Sequence, residues 1–247
     1  MIKLIRTSAP DKLTPEFVKA KTEEYKQTKN SVWNIEWLKE SLKDLSHGKC
    51  AYCECDLTKE SNYMEVEHFE DKHYNADKVM QWDNLLPSCK QCNGHKSDHD
   101  VIAEPIVNPF IDQPGAHLYF QNYRYKSRDE KGKKTIEVLQ LNNGERKMVD
   151  TRYEIGNGLE ELIMDVSDKY NTYKRNSSVT NRNKLTSAVI EMLRQCQPES
   201  EYASTCATVL HSSDDYIQLK TSLKQDGLWS TIMNTMDVES RNICLFK

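Results

Sequence analysis

The strongest constraint on the fold of this chain is a cysteine spacing that occurs twice. Cys50-Ala51-Tyr52-Cys53 and Cys89-Lys90-Gln91-Cys92 are two C-x2-C pairs, separated by 35 residues. Each pair can form a tight turn that directs two thiolates at one zinc ion, and two such turns complete a closed tetrahedral site. We therefore predict structural Zn2+ on Cys50, Cys53, Cys89 and Cys92. The alternative is a chance spacing of buried free cysteines. The remaining cysteines lack this spacing and are interpreted as thiols outside the site: Cys55, Cys196, Cys206 and Cys244.

The overall composition is that of a soluble globular protein. The chain has 247 residues, enough for one large or two small domains, and 37% of them are hydrophobic. It contains neither a long apolar segment nor an apolar signal region after Met1, so we expect a cytoplasmic protein without a membrane partner. The formal net charge is -4. Any nucleic-acid contact must therefore come from local basic patches or from a partner protein.

The segment between the cysteine pairs contains further motifs in a fixed order. Val66-Glu67-His68-Phe69 comes first, Trp82-Asp83-Asn84-Leu85 follows, and Asn93 and Lys96 come after the second pair. Over residues 49 to 96 this order resembles the HNH nucleases. The resemblance implies an α+β fold with a zinc-stapled ββα-metal core (HNH, treble-clef-like), N-terminal helices on one side and a mainly helical C-terminal region on the other. It also implies metal-dependent hydrolysis of phosphodiester bonds.

The histidine between the cysteine pairs has suitable chemistry for that reaction. Phosphodiester hydrolysis needs an activated water, and an imidazole with its ordinary pKa of about 6.5 is a good general base near neutral pH. The resemblance assigns this role to His68. It also assigns to Asn84 a hydrogen bond to the backbone near the base. The alternative for His68 is a buried histidine in a purely structural zinc module.

Oxygen ligands for a catalytic cation flank the same motifs. A carboxylate and an amide carbonyl are hard ligands suited to Mg2+ or Mn2+, and the resemblance implies that Glu67 and Asn93 hold the catalytic ion. The family often has Asp where this chain has Glu67. Lys96 matches a basic position that contacts a phosphate or stabilises the fold. His95 and His99 are four residues apart, which would place them on one helix face as a second metal face or as solvated histidines.

Helix and strand signals divide the chain into three segments. Thr14 and Pro15 predict the start of a helix that runs to about Asn30, and a second helix carries apolar residues from Ile35 to Leu45. These helices form a predicted N-terminal segment, residues 1–48. The predicted HNH core, residues 49–115, contains strands near Val66 to Phe69 and near Leu85, and a metal-bearing helix from Asn93 to Asp100.

The third segment, residues 116–247, is predicted to begin with a β-hairpin and to continue as a helical partner-docking region. The hairpin strands are His117 to Tyr125 and Thr135 to Leu141. Asn142 and Glu145 are interpreted as the capping box of the first helix. Later helices are predicted at about Asn181 to Gln195, Glu199 to His211 and Asp214 to Gln225.

A cluster of basic residues with aromatic neighbours lies in the predicted hairpin. Arg124, Lys126 and Arg128 alternate with other residues near Tyr119, Phe120, Tyr123 and Tyr125. Cations interleaved with aromatic rings suit single-stranded or looped nucleic acid, so these three residues are predicted contacts. A solvated charged face is the alternative.

The layout of the whole chain has a second resemblance. The layout is similar to the HNH subunit of Septu-type and retron-associated anti-phage defence systems. The residues that carry this resemblance are Cys50-Ala51-Tyr52-Cys53, Val66-Glu67-His68-Phe69, Trp82-Asp83-Asn84-Leu85 and Val107-Asn108-Pro109-Phe110. That resemblance implies an effector nuclease with an ABC-type ATPase partner, which restrains cleavage until infection. In retron systems the partners also include a reverse transcriptase and its DNA–RNA product.

These inferences combine into one functional hypothesis. The chain is expected to be an HNH endonuclease with structural Zn2+ and catalytic Mg2+ or Mn2+, acting on DNA by preference. RNA stays open because such a core contacts a phosphodiester rather than a base. The competing hypothesis is a non-catalytic, zinc-stapled module that binds nucleic acid or protein. It needs zinc but no exchangeable second cation.

Overall fold

The computed structural model describes residues 1–59 and 63–247. These residues form a mixed α/β structure that is mostly helical with two small sheets, as predicted for the fold class. No helix in these two ranges has the length and apolar character needed to cross a membrane. The helices are α1 (Pro15–Thr28), α2 (Glu36–Leu45), α3 (Lys90–Lys96), α4 (Pro114–His117), α5 (Glu130–Val138), α6 (Met148–Arg175), α7 (Val179–Arg194), α8 (Ala203–Ser212), α9 (Asp214–Gln225) and α10 (Thr231–Asn242). The strands are β1 (Met64–His68), β2 (Leu85–Cys89), β3 (Leu118–Gln121) and β4 (Arg124–Ser127).

The chain divides into two compact units. The first unit consists of Met1–Tyr119 and Tyr125–Asn142, and the second consists of Phe120–Arg124 and Asn143–Lys247. The N-terminal helices and both cysteine pairs therefore belong to the same unit. The second unit is built from the five helices α6 to α10 and the short segment before Tyr125.

The two N-terminal helices begin as their sequence signals predict. Thr14 is the N-cap of α1, where its side chain accepts a hydrogen bond from the backbone N–H of Phe17, and Pro15 is the first helical residue. Helix α2 buries Leu38, Leu42 and Leu45. Their spacing of four and three residues puts all three on one face, which packs against the strands β1 and β2.

The predicted strands between the cysteine pairs form an antiparallel hairpin. Its register pairs Glu67 with Leu86 and His68 with Leu85. The following helix is shorter and earlier than predicted, since α3 runs over Lys90–Lys96 rather than from Asn93 to Asp100. Cys89 explains the early start, because its sulfur accepts a hydrogen bond from the N–H of Cys92 and caps the helix. Ser97, with φ +48°, explains the early end.

The predicted hairpin of residues 117–141 is wrong in both strands, because a turn divides the first strand, His117 to Tyr125, and a helix replaces the second. Strands β3 and β4 form a two-stranded sheet, and the turn between them consists of Asn122 and Tyr123, both with positive φ. Residues assigned to the second strand instead form helix α5. The side chain of Asp129 caps this helix by accepting a hydrogen bond from the N–H of Gly132. This cap stabilises the helix although the β-branched residues further along favour a strand.

The second unit has its own core, made by the inward faces of α6 to α10 around Ile163, Val189 and Leu210. The predicted capping box is wrong. Asn142 does not cap a helix: its side chain hydrogen-bonds the backbone of Tyr125 in both directions, and α6 starts at Met148. Helix α9 agrees with its predicted bounds, whereas α10 was not predicted.

Candidate metal and catalytic site

The four predicted zinc ligands meet in space. The sulfur atoms of Cys50, Cys53, Cys89 and Cys92 all lie within 4.8 Å of one another, and all four residues are buried. Four converging thiols, from two C-x2-C turns, are a donor set that fits tetrahedral zinc. The cluster could hold a metal such as zinc, which agrees with the predicted structural site.

Backbone hydrogen bonds hold the first cysteine turn in place. The N–H of Cys50 donates to the carbonyl of Cys55 at 2.9 Å, and the N–H of Glu54 donates to the carbonyl of Cys50 at 3.0 Å. The N–H of Ala51 donates to the carbonyl of Pro87 on β2 at 2.9 Å. This last contact fixes the first turn directly to the strand that leads into the second turn.

A pocket of about 380 Å³ lies beside the β1–β2 hairpin, and we call it the hairpin pocket. Three of the predicted catalytic or metal-binding residues line it: Glu67, His68 and Asn93. Glu67 and His68 come from β1, and Asn93 comes from α3. Strand β1 and helix α3 thus bring these side chains to one cavity.

The ring of His68 is anchored by a contact with a backbone carbonyl. Its Nε2 lies 3.0 Å from the carbonyl oxygen of Val79, and because a carbonyl only accepts, Nε2 carries the hydrogen. The lone pair is then on Nδ1. Burial lowers the pKa of His68 to about 4, against the hydrogen bond to Val79, which raises it. The imidazole is therefore neutral at pH 7, the form that can accept a proton.

Asn84 fixes the loop that supplies this carbonyl. Its Nδ2 donates to the carbonyls of Glu70 at 3.0 Å and Lys78 at 3.3 Å, and its Oδ1 accepts from the N–H of Glu70 at 2.7 Å. Glu70 lies two residues after His68, and Lys78 lies directly before Val79. Asn84 itself is buried, and it does not line the hairpin pocket.

Glu67 and Lys96 form a buried ion pair. The ammonium of Lys96 lies 2.7 Å from Oε1 of Glu67 and also donates to the carbonyl of His68 at 2.8 Å. Burial raises the pKa of Glu67 to about 7, although Lys96 opposes this shift. Tyr52 also approaches Oε1, at 3.5 Å. Both of these contacts are to Oε1 and not to Oε2, and Lys96 is 1% exposed.

The hairpin pocket offers several oxygen donors to a hard cation. Nδ2 of Asn93 donates a hydrogen bond to Glu65, so Oδ1 is the amide atom of Asn93 that could bind a cation. Glu65 and the buried Asp71 also line the pocket. This donor set has the chemistry that Mg2+ or Mn2+ prefers. Among the described His, Cys, Asp and Glu side chains, however, only the four thiols converge within 4.8 Å.

Most of the pocket lining was not predicted from the sequence, and the unpredicted residues include Trp33, Lys39, Asp71 and Lys72. The ring of Trp33 lies edge-on against the ring of His68, with centroids 4.4 Å apart and an interplanar angle of 78°. Asp71 accepts hydrogen bonds from the N–H and Nδ1 of His73. No motif marked these residues. Only the closeness of Asp71 and Lys72 to His68 in the chain was available as a signal.

The remaining predicted residues lie elsewhere. His95 and His99 do not share a helix face, because α3 ends at Lys96, and Nε2 of His99 instead lies 2.8 Å from the carbonyl of Glu104. The idea of a second metal face is therefore wrong. Arg124, Lys126 and Arg128 are exposed, and they alternate along β4 and its end with the buried Tyr125.

Comparison with known proteins gives relatives over nearly the whole chain. A Septu protein PtuB of Bacillus thuringiensis is 41% identical over 233 residues, which cover 94% of this chain and 90% of the relative. A Septu protein PtuB of Bacillus mycoides (strain KBAB4) is 29% identical over 172 residues, 56% of this chain and 57% of the relative. No protein-family model matches the sequence. The relatives identify a Septu defence component. Within that class, the chain belongs to the Septu PtuB family.

Proposed function

We propose that this protein is a metal-dependent HNH endonuclease that hydrolyses phosphodiester bonds in nucleic acid. The observation that carries the proposal is the state of His68. It is neutral, its Nε2 is fixed by the carbonyl of Val79, and it lines a pocket with Glu67 and Asn93. A histidine with one nitrogen anchored and the other bearing a lone pair is arranged as a general base. The antiparallel hairpin and the short helix after the second cysteine turn support an HNH-type ββα core.

In this mechanism each side chain has a separate role. Nδ1 of His68 takes a proton from a water molecule in the pocket. The Val79 carbonyl and the Trp33 ring keep the imidazole oriented, and Asn84 keeps the loop that carries Val79 in place. A divalent cation, held by Glu67 and Asn93, would supply charge stabilisation for the phosphate and the leaving oxygen. Lys96 orients Glu67 and neutralises part of its charge. The four cysteines would hold structural zinc under this hairpin and helix.

The biological setting follows from the family. We propose that the protein is the effector nuclease of an anti-phage defence complex with an ABC-type ATPase, acting on DNA by preference. A reverse transcriptase and its DNA–RNA product are further partners if the system is retron-associated. Support comes from the relatives, which are Septu proteins over most of this chain. The acidic net charge of -4 also agrees with dependence on a partner for part of the nucleic-acid binding.

One observation favours a second function, that of a non-catalytic binding module. The thiols are already arranged for a metal, whereas the carboxylates of the hairpin pocket do not converge, and Glu67 is occupied by Lys96. A module of this kind would need zinc only. The two functions therefore differ in whether a second, exchangeable divalent ion is required.

Cleavage assays with matched histidine variants test the proposal. Purified wild type, His68→Ala and the exposed control His47→Asn would be incubated with plasmid DNA, single-stranded DNA or structured RNA, with and without Mg2+ or Mn2+, alone and with the ABC-type ATPase. We expect metal-dependent cleavage by the wild type and by the control, and none by His68→Ala at unchanged zinc content. Full cleavage by His68→Ala would refute its role as base. Binding without cleavage under all conditions would support the binding module.

A further inference from the structure

One wall of the hairpin pocket comes from outside the motif-bearing segment. The residues that line it include Ser31, Trp33 and Asn34 from the connection between α1 and α2, and Lys39 from the first turns of α2. The same lining includes Glu67, His68 and Asn93. The N-terminal helices thus contribute polar, aromatic and cationic side chains directly to the candidate site.

Two lysines are the cations among the described residues of this lining. Lys39 is half-buried, and no described residue forms an ion pair with its ammonium. Lys72 lies 3.7 Å from Asp71, a long ion pair, and its ammonium lies 5.8 Å from the ring centroid of Trp33. Asp71 already accepts two hydrogen bonds from His73. Those bonds go to Oδ1 of Asp71, whereas the contact of Lys72 is to Oδ2. Lys72 therefore has one long carboxylate contact, and Lys39 has no ion-pair partner among the described residues.

The other charged residues of the pocket are mostly carboxylates, which would repel a phosphate. Glu65, Glu67 and Asp71 line the same cavity, so a polyanion that enters it meets carboxylates. Lys96 compensates Glu67 from the interior and is 1% exposed, so it cannot reach a ligand in the pocket. The positive charge available to a bound phosphate in the lining is that of Lys39 and Lys72.

Trp33 lies near both Lys72 and the candidate catalytic histidine. Its ring contacts His68 with centroids 4.4 Å apart, and Lys72 lies near the same ring. A phosphate held by Lys72 would therefore lie close to the imidazole. Ser31, Asn34 and Ser97 add exposed hydroxyl and amide donors around the opening of the pocket. Donors and ammonium groups together are the usual contacts to a nucleic-acid backbone.

We propose that Lys39 and Lys72 form a backbone-phosphate subsite, which binds the substrate strand next to the phosphate that is cleaved. This inference rests on the proposed nuclease function and extends it, because it assigns substrate binding to the α1–α2 region. The subsite recognises phosphate and not base, so it acts on nucleic acid of any sequence.

Binding measurements in a cleavage-deficient background test the subsite. The full-length, zinc-loaded His68→Ala protein would be titrated with a fluorescein-labelled DNA duplex and its single strand over a series of salt concentrations. Lys39→Gln, Lys72→Gln and the double variant remove charge, and Lys39→Arg and Lys72→Arg retain it. Lys43→Gln is the matched control, since Lys43 lies one turn further along α2, pairs with Glu40 and does not line the pocket.

Each glutamine variant is expected to weaken binding about tenfold, as for the loss of a charge-assisted phosphate contact. The slope of log affinity against log salt should fall by about 0.9 per lysine on duplex and about 0.7 on single strand. The arginine variants should bind like the His68→Ala parent, as should Lys43→Gln. In the wild-type background, cleavage by the glutamine variants should show a raised KM with a smaller change in kcat.

The outcomes separate the two proposals. Unchanged affinity and salt slope in the double variant, with a parent that binds DNA, would overturn the subsite and leave the nuclease proposal standing. An equal loss in Lys43→Gln would also overturn it, because the effect would then be general charge. Absence of any DNA binding by the parent, together with absence of cleavage by the wild type, both alone and with the ABC-type ATPase, would refute the nuclease proposal and the subsite with it.

Discussion

The ammonium of Lys96 lies 2.7 Å from a carboxylate oxygen of Glu67, although the two residues are only 1% and 2% exposed. This pair joins α3 to β1 directly behind the candidate catalytic histidine. Lys96 also donates to the carbonyl of His68, so one side chain fixes both the backbone of the base and the carboxylate next to it. Its contribution is to position groups, since its head does not reach solvent.

Removal of one partner of this pair should destabilise the protein strongly. Lys96→Met leaves Glu67 buried without its counter-charge, and we expect a loss of about 3–5 kcal/mol in the free energy of unfolding. Glu67→Gln added to Lys96→Met should recover a large part of this loss, because no unpaired charge then remains. Urea unfolding at neutral pH measures both effects. Lys90→Met, at an exposed position of the same helix, is the control. If Lys90→Met and Lys96→Met lost the same free energy of unfolding, the ion pair would be excluded as the cause.

Asn84 should matter through the loop that it closes. Asn84→Ala removes the hydrogen bonds to the backbone of Glu70 and Lys78, and we expect a loss of about 1–3 kcal/mol, since buried backbone groups are left unpaired. Cleavage should fall further than stability accounts for, because the carbonyl of Val79 no longer holds His68. Zinc content should stay unchanged. Asn84→Asp keeps the acceptor for the N–H of Glu70 but sets a carboxylate oxygen against the carbonyls of Glu70 and Lys78, so it should be no more stable than Asn84→Ala. Wild-type stability and cleavage in Asn84→Ala would contradict this account.

Features of this fold that depend on short-range spacing are predictable from the sequence, and features that depend on packing are not. The cysteine turns, the Thr14 cap and the strands β1 and β2 depend on short-range spacing, and the sequence predicted them. Helix α5 was missed because the β-branched residues near its end favoured a strand, and the Asp129 cap was not recognised in the sequence. Trp33 and Lys39 were missed for a different reason. Their approach to the hairpin pocket depends on how α2 packs against β1 and β2, which no local pattern records.

The zinc cluster should stabilise the first unit and depend on four cysteines rather than five. Cys92→Ser should lose the metal and unfold the first unit, because structural zinc contributes folding free energy. The helices of the second unit should persist, since their core contains no residue of the cluster. Elemental analysis and limited proteolysis measure the two effects. Cys55→Ser, at the neighbouring buried thiol, should keep one zinc per chain; loss of zinc in that variant would make Cys55 a ligand.

A buried histidine in the second unit should make stability depend on pH. His211 is 6% exposed, and its Nε2 lies 2.9 Å from the hydroxyl of Ser240. Burial lowers its pKa from 6.5 to about 4, although Asp237 raises it. Between these two pH values the unfolded chain binds a proton that the folded chain does not. The contribution of His211 to the free energy of unfolding is therefore fully present above pH 6.5 and is lost as the pH falls towards 4.

His211→Gln removes this titration and keeps an amide that can bond Ser240. We expect its free energy of unfolding to depend less steeply on pH than that of the wild type between pH 6.5 and 4, when urea unfolding of the helices is followed by circular dichroism. The control is His47→Asn, because His47 is exposed, lies in the first unit and has the positive φ that asparagine tolerates. It should keep the wild-type slope. The same steep pH dependence in His211→Gln would show that other groups, such as Asp237 with its partners Tyr216 and Lys220, cause the acid sensitivity of this unit.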